Sequence, residues 1–425
     1  YIIREILKVV TSIHEVAGKV RAPSSKSAAQ RYIAGALLTS GVSVLKVNSM
    51  CEDSIAALSV AEALGAKVSS EETGIIIKGG FNPVKNEINC GESGLSARMF
   101  IPVAALHNKE ITITGRGSLL NRPFEMAEKP LAQLGVKIDS ARGFLPLKVK
   151  GPLAGGEVTA DGSVSSQFIT GLLMALPVAG KDSRLIVRNL VSRPYIDMTL
   201  KILSQFGIEI INDNYNIFSI RGRQKYIPGT FAVEGDWSGA SFFLVMGAIG
   251  GKVEIEGLDM ESVQADRAII DALLLAGACV EAKSGKVTVS KSDLRSFEFD
   301  ITNCPDIAPP LAVLASACRG KSVIRGAGRL LTKESNRADT ISNALNSIGA
   351  KVSCRGDIIE VQGVKSLSGG EAKSYNDHRI AMTLAAASLL SVNPVIIDGI
   401  ECIKKSYPGF IEDFKSVGGN VTFIY

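Results

Sequence analysis

Lys26 and Arg31 stand in the opening turns of a strongly apolar segment, Ala22-Pro23-Ser24-Ser25-Lys26-Ser27-Ala28-Ala29-Gln30-Arg31 followed by Tyr32-Ile33-Ala34-Gly35-Ala36-Leu37-Leu38. Pro23, Ser24 and Ser25 are residues of a helix N-terminus, where backbone N–H groups lack partners and the dipole end is positive. An acid would stabilise that end. Two cations oppose it unless a bound phosphate or carboxylate offsets both, and Ser27 and Arg31 are spaced to share a face. The pattern returns along the chain. Cys90-Gly91-Glu92-Ser93-Gly94-Leu95-Ser96-Ala97-Arg98 is a Gly/Ser turn entering a helix, a weak signal alone because ordinary capped helices look the same. In residues 115–123, Arg122 directly precedes Pro123, which reads as the opening of a helix and places Arg122 at its positive end. Asp161-Gly162-Ser163-Val164-Ser165-Ser166-Gln167 offers hydroxyls, an amide and free N–H groups, donors suited to a phosphate or a sugar-like hydroxyl. Residues 374–382 put His378 and Arg379 in the first turn of a helix that is otherwise Ala and Leu, and a polar tip on a buried helix implies that the tip faces a site. Residues 404–409 add a cationic turn at Lys404 and Lys405 before another helix, while residues 331–337, with Lys333, Glu334 and Arg337, alternate charge in the manner of a solvated face.

The elements that must carry these residues repeat. An apolar helix end, a Gly and a short alternating strand occur six times, with the glycines at 65, 135, 207, 277, 349 and 418, a period of about 70 residues. Each Gly fits the left-handed residue that ends a helix. The segments 168–176, 237–249, 307–318 and 380–390 are apolar on most sides, as helices covered by sheets are. The strands 110–114, 251–256 and 321–324 alternate and so have one wet face. The expected architecture is α/β: two domains, each of three repeated α/β units with buried helices and outward-facing sheets. The stretch 226–236 reads as one crossing between domains. If the last repeat needs a further strand, residues 1–21 supply it, giving a second crossing near Pro23. The expected domains are therefore 1–21 with 236–425, and 22–235, with hinge crossings near 21–23 and 233–236.

Composition narrows the function. The chain has 425 residues, 46% hydrophobic and 21% charged, the balance of a globular protein. A net charge of +5 suits small acidic substrates, and no basic run or aromatic-interleaved patch favours nucleic acid. Seven cysteines without a CxxC pair predict a reduced, cytoplasmic protein, and three scattered histidines predict no metal site. No stretch is long and apolar enough to predict a signal peptide or a membrane span.

Taken in order, residues 161–167, Ser192-Arg193-Pro194-Tyr195-Ile196-Asp197, Lys333-Glu334 and Asn376-Asp377-His378-Arg379 resemble the 5-enolpyruvylshikimate-3-phosphate (EPSP) synthase family over nearly the whole chain. The resemblance implies an enolpyruvyl transferase-like inside-out α/β barrel fold and transfer of the enolpyruvyl group of phosphoenolpyruvate to shikimate 3-phosphate. It places Lys26, Ser27, Arg31, Ser165, Ser166, Gln167, Ser192, Tyr195, Asp306 and Lys333 on the shikimate 3-phosphate side. Lys26, Gly94, Arg122, Gln167, Arg337, His378, Arg379 and Lys405 fall on the phosphoenolpyruvate side, and Lys26, Asp306 and Glu334 are the expected catalytic groups. The substrates together carry about five or six negative charges, which seven of these cations would match. No cofactor is implied, a monomer is expected, and retained Gly94 leaves room for glyphosate as an inhibitor. Glu92 stands where the family commonly has Asn, Leu95 where it has Thr, and Asn336 where it has Asp.

Two rival readings compete with this one. The related UDP-N-acetylglucosamine enolpyruvyl transferases usually carry Lys-Asn where this chain has Lys26-Ser27, and often a Cys in the loop that here spans 115–122 without one. A non-catalytic anion- or RNA-binding protein on the same scaffold would not need Lys26, Asp306 and Glu334 together and should show a basic stripe.

Overall fold

A computed structural model describes residues 8–283 and 285–424; the part of the N-terminal expectation that covers residues 1–7 lies outside them. The described residues form two compact units, Ser24–Val233, and Glu234–Tyr425 with the N-terminal Tyr1–Pro23. The first holds α1 (Lys26–Leu38), α2 (Glu52–Ala63), α3 (Gly94–Ala104), α4 (Glu128–Gln133), α5 (Ser166–Ala175) and α6 (Arg193–Gln205). The second holds α7 (Trp237–Gly250), α8 (Ile269–Leu275), α9 (Ala308–Ala317), α10 (Arg337–Ser347), α11 (His378–Ala387) and α12 (Phe410–Ser416).

The described residues form six four-stranded sheets, three per unit, and each sheet combines one parallel strand pair with antiparallel ones. The odd-numbered helices are the apolar ones, buried on nearly every side, as with Phe242, Phe243, Leu244, Val245 and Met246 in succession on α7. Each such side chain contributes about 1.5–3 kcal/mol by burial, so these helices belong between sheets and are held by packing rather than by propensity. The strands Glu110–Thr114 and Gly251–Glu256 bury alternate residues and keep the expected wet face. Between them in the repeat lie the even-numbered helices, and the six expected glycines follow them, all with positive φ from +74° to +115°.

The strand pattern shows where the chain crosses. In the other repeats a short strand leads into its buried helix and pairs in parallel with the strand that follows, as Glu87–Asn89 does with Glu110–Thr114 around α3. At the crossings this is exchanged. Val16–Arg21 leads into α1 but pairs with Gly251–Glu256, which follows α7, and Thr230–Ala232 leads into α7 but pairs with Val42–Lys46, which follows α1. Lys8–Ser12 lies between Val395–Asp398 and Asn420–Ile424, completing the sheet of the last repeat.

Candidate active site

In the first unit the N-terminal turns of α1, α3, α5 and α6 are laced together by side chains. Ser25 caps α1 by accepting from the Ala28 N–H at 3.4 Å, and no acid occupies the first turn. The Gln30 Oε1 accepts from Ser93 and Ser96 hydroxyls at 3.0 and 2.9 Å, joining α1 to the start of α3. Arg31 turns inward. It donates to Thr199 Oγ1 at 2.9 Å, the Ser27 carbonyl at 2.6 Å, and Thr170 Oγ1 and the Tyr195 carbonyl at 3.3 Å, tying α1 to α5 and α6. Those acceptors are all neutral, and burial lowers the guanidinium pKa to about 10. A buried cation joining the N-terminal halves of three helices suits an anion-binding arrangement. Lys26 is different: its Nζ lies 3.0 Å from Asp53 in the first turn of α2, so a carboxylate of the chain already offsets part of its charge.

Gly94 sits among three polar side chains. A Cβ there would come within 2.5 Å of Arg122, 3.3 Å of Arg98 and 3.6 Å of Gln167. Arg98 donates to Gln167 Oε1 at 2.9 Å and to the Pro123 carbonyl at 3.1 Å, with its guanidinium 5.2 Å above the Phe124 ring. In the sequence Arg98 belongs only to a weak motif, yet it joins α3 to α5. Ser165 caps α5 by accepting from the Gln167 N–H at 3.2 Å, Ser166 is buried beside it, and Ser192 begins α6 in a left-handed conformation with φ +56°. Arg122 departs from expectation. It ends the 3-10 turn Gly117–Asn121 in extended conformation, and the helical segment opens not at Pro123 but at the 3-10 turn Glu125–Ala127, which runs directly into α4. The Phe124 N–H, at the cap of that turn, donates to the Gly143 carbonyl at 2.7 Å. Arg122 itself is buried, with one nitrogen 3.5 Å from Ser118 Oγ.

In the second unit one carboxylate gathers three cations. Asp306, in the 3-10 turn Pro305–Ile307 ahead of α9, lies 3.2 Å from Lys333, 2.9 Å from Arg337 and 3.2 Å from Arg379. Burial opposes its charge, but Arg379, Lys333 and Arg337 hold it well below the ordinary carboxylate range. Arg337 is wholly buried and bonds Asp306, Asp377 at 3.0 and 3.2 Å, and Glu334. Burial works against its charge too, and the carboxylates of Asp377, Glu334 and Asp306 more than offset it, so its pKa is raised. Burial lowers that of Lys333. The solvated face expected for residues 331–337 is thus overturned: the alternating charges are an internal ion network, which a one-dimensional pattern cannot distinguish from a wet surface.

Asp377 caps α11 by accepting from the Arg379 N–H at 2.9 Å, leaving His378 and Arg379 buried in the first turn. Lys405 is buried and donates to the Asn376 carbonyl at 2.8 Å. It closes the 3-10 turn Ile400–Lys405 rather than opening α12, so its charge lies at the favourable end of a turn. Asp53, Asp306, Glu334 and Asp377 therefore offset part of the positive charge that a count of cations assigns to substrates.

Repeated sheets around apolar helices, with cations and carboxylates concentrated at helix starts, define an α/β protein of the kind that handles multiply charged small anions. The family model described as EPSP synthase (3-phosphoshikimate 1-carboxyvinyltransferase) matches residues 10–414. A relative from Clostridium kluyveri named 3-phosphoshikimate 1-carboxyvinyltransferase is 40% identical over 407 residues, covering 95% of this chain and 96% of its own. The solved EPSP synthase of Acinetobacter baumannii is 25% identical with a TM-score of 0.81, covering 98% of this chain and 100% of its own. The enolpyruvyl transferase NikO of Streptomyces tendae, at 16% identity and a TM-score of 0.80 over 99% of each chain, shares the fold. The chain belongs to the EPSP synthase family. Among the described residues no helix is long and apolar enough to cross a membrane.

Proposed function

We propose that this chain transfers the enolpyruvyl group of phosphoenolpyruvate to the 5-hydroxyl of shikimate 3-phosphate and releases phosphate, through addition and then elimination. Family membership over residues 10–414 carries this reading. In the addition, the methylene carbon of phosphoenolpyruvate takes a proton while the 5-hydroxyl oxygen bonds the neighbouring carbon and loses its own. In the elimination, a methyl proton leaves, the double bond re-forms and the phosphate departs with the C–O bond electrons. The donor is already an activated enol phosphate, so the chemistry draws on no cofactor.

Such steps need a carboxyl group to give and take a proton and another to steer the hydroxyl. Glu334 and Asp306 are our candidates, and their shared partner Arg337 supports the pairing. Lys26 would stabilise charge developing on the bridging and phosphate oxygens. Shikimate 3-phosphate would be held by Ser27, Arg31, Ser165, Ser166, Gln167, Ser192 and Tyr195, with Asp306 and Lys333. Phosphoenolpyruvate would be held by Gly94, Arg122, Gln167, His378, Arg379 and Lys405. Arg337, already bonded to three carboxylates, would act on phosphoenolpyruvate through the network it shares with Asp306 and Glu334. In this reading the protein is a cytoplasmic monomer in which Gly94 leaves room for glyphosate while Glu92 and Leu95 set its sensitivity, and the crossings near 21–23 and 233–236 serve as a hinge that shikimate 3-phosphate closes. A scattering profile unchanged by that substrate would remove the hinge.

The reaction is tested by phosphate release from phosphoenolpyruvate with shikimate 3-phosphate, with UDP-N-acetylglucosamine as control acceptor and Glu334→Ala as control enzyme. Release with shikimate 3-phosphate alone, lost in the variant, is expected. Release with the UDP-sugar alone would overturn the reading.

A further inference from the structure

Tyr215 stands at the tip of the hairpin formed by Ile210–Asp213 and Ile217–Ile220, with a left-handed backbone, φ +61°. Asn214 before it is left-handed as well, φ +50°. Asparagine tolerates that conformation. A bulky aromatic residue does not, and a turn that had only to reverse the chain would favour Gly at this point. The tip is held firmly all the same. The Tyr215 N–H donates to Asn212 Oδ1 at 2.8 Å, the Asn216 N–H donates to the Asp213 carbonyl at 3.0 Å, and the Asn216 carbonyl accepts from the Val187 N–H at 2.8 Å. A strained residue that its surroundings keep in place points to the work of its side chain.

That side chain reaches the start of α6. Its hydroxyl donates to Asp197 Oδ1 at 2.7 Å, and the Arg193 guanidinium lies 5.3 Å from the centre of its ring. Tyr215 and Asp197 are half-buried, and Arg193 is exposed. A hydroxyl bonded to a carboxylate is a charge-assisted contact, and a ring beneath a guanidinium adds to it. Arg193 and Asp197 are four residues apart and share a face of α6, with Tyr195 between them in sequence and Ser192 immediately before. Ser192 is itself left-handed, unlike the extended backbone of an ordinary N-cap. Elsewhere this first turn is tied through the Tyr195 carbonyl, which accepts from Thr199 Oγ1 at 2.8 Å and from Arg31 at 3.3 Å. Tyr215 supplies the second hold, from a different element.

We infer that Tyr215 is a positioning residue for shikimate 3-phosphate: through Asp197 and Arg193 it keeps the first turn of α6 in the geometry that presents Ser192 and Tyr195 to that substrate. This rests on the proposed place of Ser192 and Tyr195 on the shikimate 3-phosphate side.

The test is the KM for each substrate with the other saturating, together with kcat and thermal unfolding, for the unaltered enzyme and for variants at Tyr215 and Asp197. Tyr215→Phe loses one hydrogen bond and keeps the ring beneath Arg193. It should raise the KM for shikimate 3-phosphate about fivefold, with the KM for phosphoenolpyruvate and kcat within about twofold. Tyr215→Gly removes both contacts and suits the left-handed backbone, so the same KM should rise about tenfold while the unfolding midpoint stays near that of the unaltered protein. Asp197→Ala should match Tyr215→Phe, and combining the two should add little, because they share one interaction. Asp197→Asn keeps an acceptor oxygen and should restore most of the loss. A KM for shikimate 3-phosphate unchanged in both Tyr215 variants overturns the inference, as do KM values for both substrates raised together with a lowered midpoint. Ser192→Ala separates the two claims. If it leaves the KM for shikimate 3-phosphate unchanged, the placement of Ser192 has failed and the inference falls with it; if it raises that KM while the Tyr215 variants follow the unaltered enzyme, only the role of Tyr215 has failed.

Discussion

A Cβ on Gly94 would lie 2.5 Å from a guanidinium nitrogen of Arg122. The obstructing atom is the end of a flexible side chain, so Gly94→Ala should fold and displace Arg122 rather than break α3. Loss of a charge-assisted contact worth about 1.5–3 kcal/mol predicts a KM for phosphoenolpyruvate raised about tenfold to a hundredfold. Thermal unfolding should stay near that of the unaltered protein, and steady-state kinetics check the rest.

Two helix-ending glycines should separate backbone strain from collision. Gly135 has φ +81°, and a Cβ added there would meet no heavy atom within 4 Å, whereas a Cβ on Gly65 would meet backbone atoms of Gly80 and Asn82 at 2.6–2.8 Å. Gly135→Ala should cost about 1–2 kcal/mol for the left-handed conformation alone, and Gly65→Ala clearly more. Denaturant unfolding of the pair measures the difference.

Arg31 is buried with only neutral oxygens as its bonded acceptors among the described residues. Arg31→Met keeps much of the volume and removes a charge that no bonded carboxylate offsets. Stability should change by no more than about 1–3 kcal/mol, while the KM for shikimate 3-phosphate rises about tenfold or more. Equal loss of both substrates' binding would place Arg31 in a structural role.

Arg337 is the opposite case. Removing it by Arg337→Ala leaves Asp306, Glu334 and Asp377 without their shared partner, and a broken buried ion pair costs about 3–5 kcal/mol. Arg337→Lys should restore little, because one ammonium cannot serve three carboxylates in fork geometry. Unfolding midpoints of both variants test this.

The half-buried Asp306 and the buried Asp266 should give stability opposite pH dependences. The Asp306 pKa is depressed, so its contribution is present above the unfolded carboxylate value of about 4 and is lost as the pH falls through its lower folded value. The Asp266 pKa is raised to about 7, so its contribution is full below about 4 and is lost as the pH rises through about 7. Asp306→Asn should therefore be least stable relative to the unaltered protein near neutrality and converge with it in acid. Asp266→Asn should gain on it as the pH rises from about 5 to about 8. Thermal midpoints across that range provide the comparison.

Local chemistry accounts for what was legible in the residues alone. Left-handed helix ends call for Gly, so six glycines at an even spacing revealed the repeats, and apolar, Ala-rich segments marked the buried helices. Capping by Ser25, Ser93, Ser165 and Asp377 follows from the same short-range rules. The polar tip at His378 and Arg379 was likewise visible because the helix behind it is apolar.

Long-range pairing was not written in any short stretch. Asp53 beside Lys26, Thr199 beside Arg31, Asp377 beside Arg337 and Asp306 beside Arg379 are partners distant in sequence, and only the tertiary fold brings them together. The same is true of Arg122, which lies in extended backbone three residues ahead of the helical turn at Glu125 and is buried by tertiary packing. Residue types and spacing thus determine which helix ends carry charge, because capping and periodicity act within a few residues. Which charges face a ligand and which face one another is decided by tertiary structure, because Coulomb and desolvation energies depend on distance and burial that the linear chain does not contain.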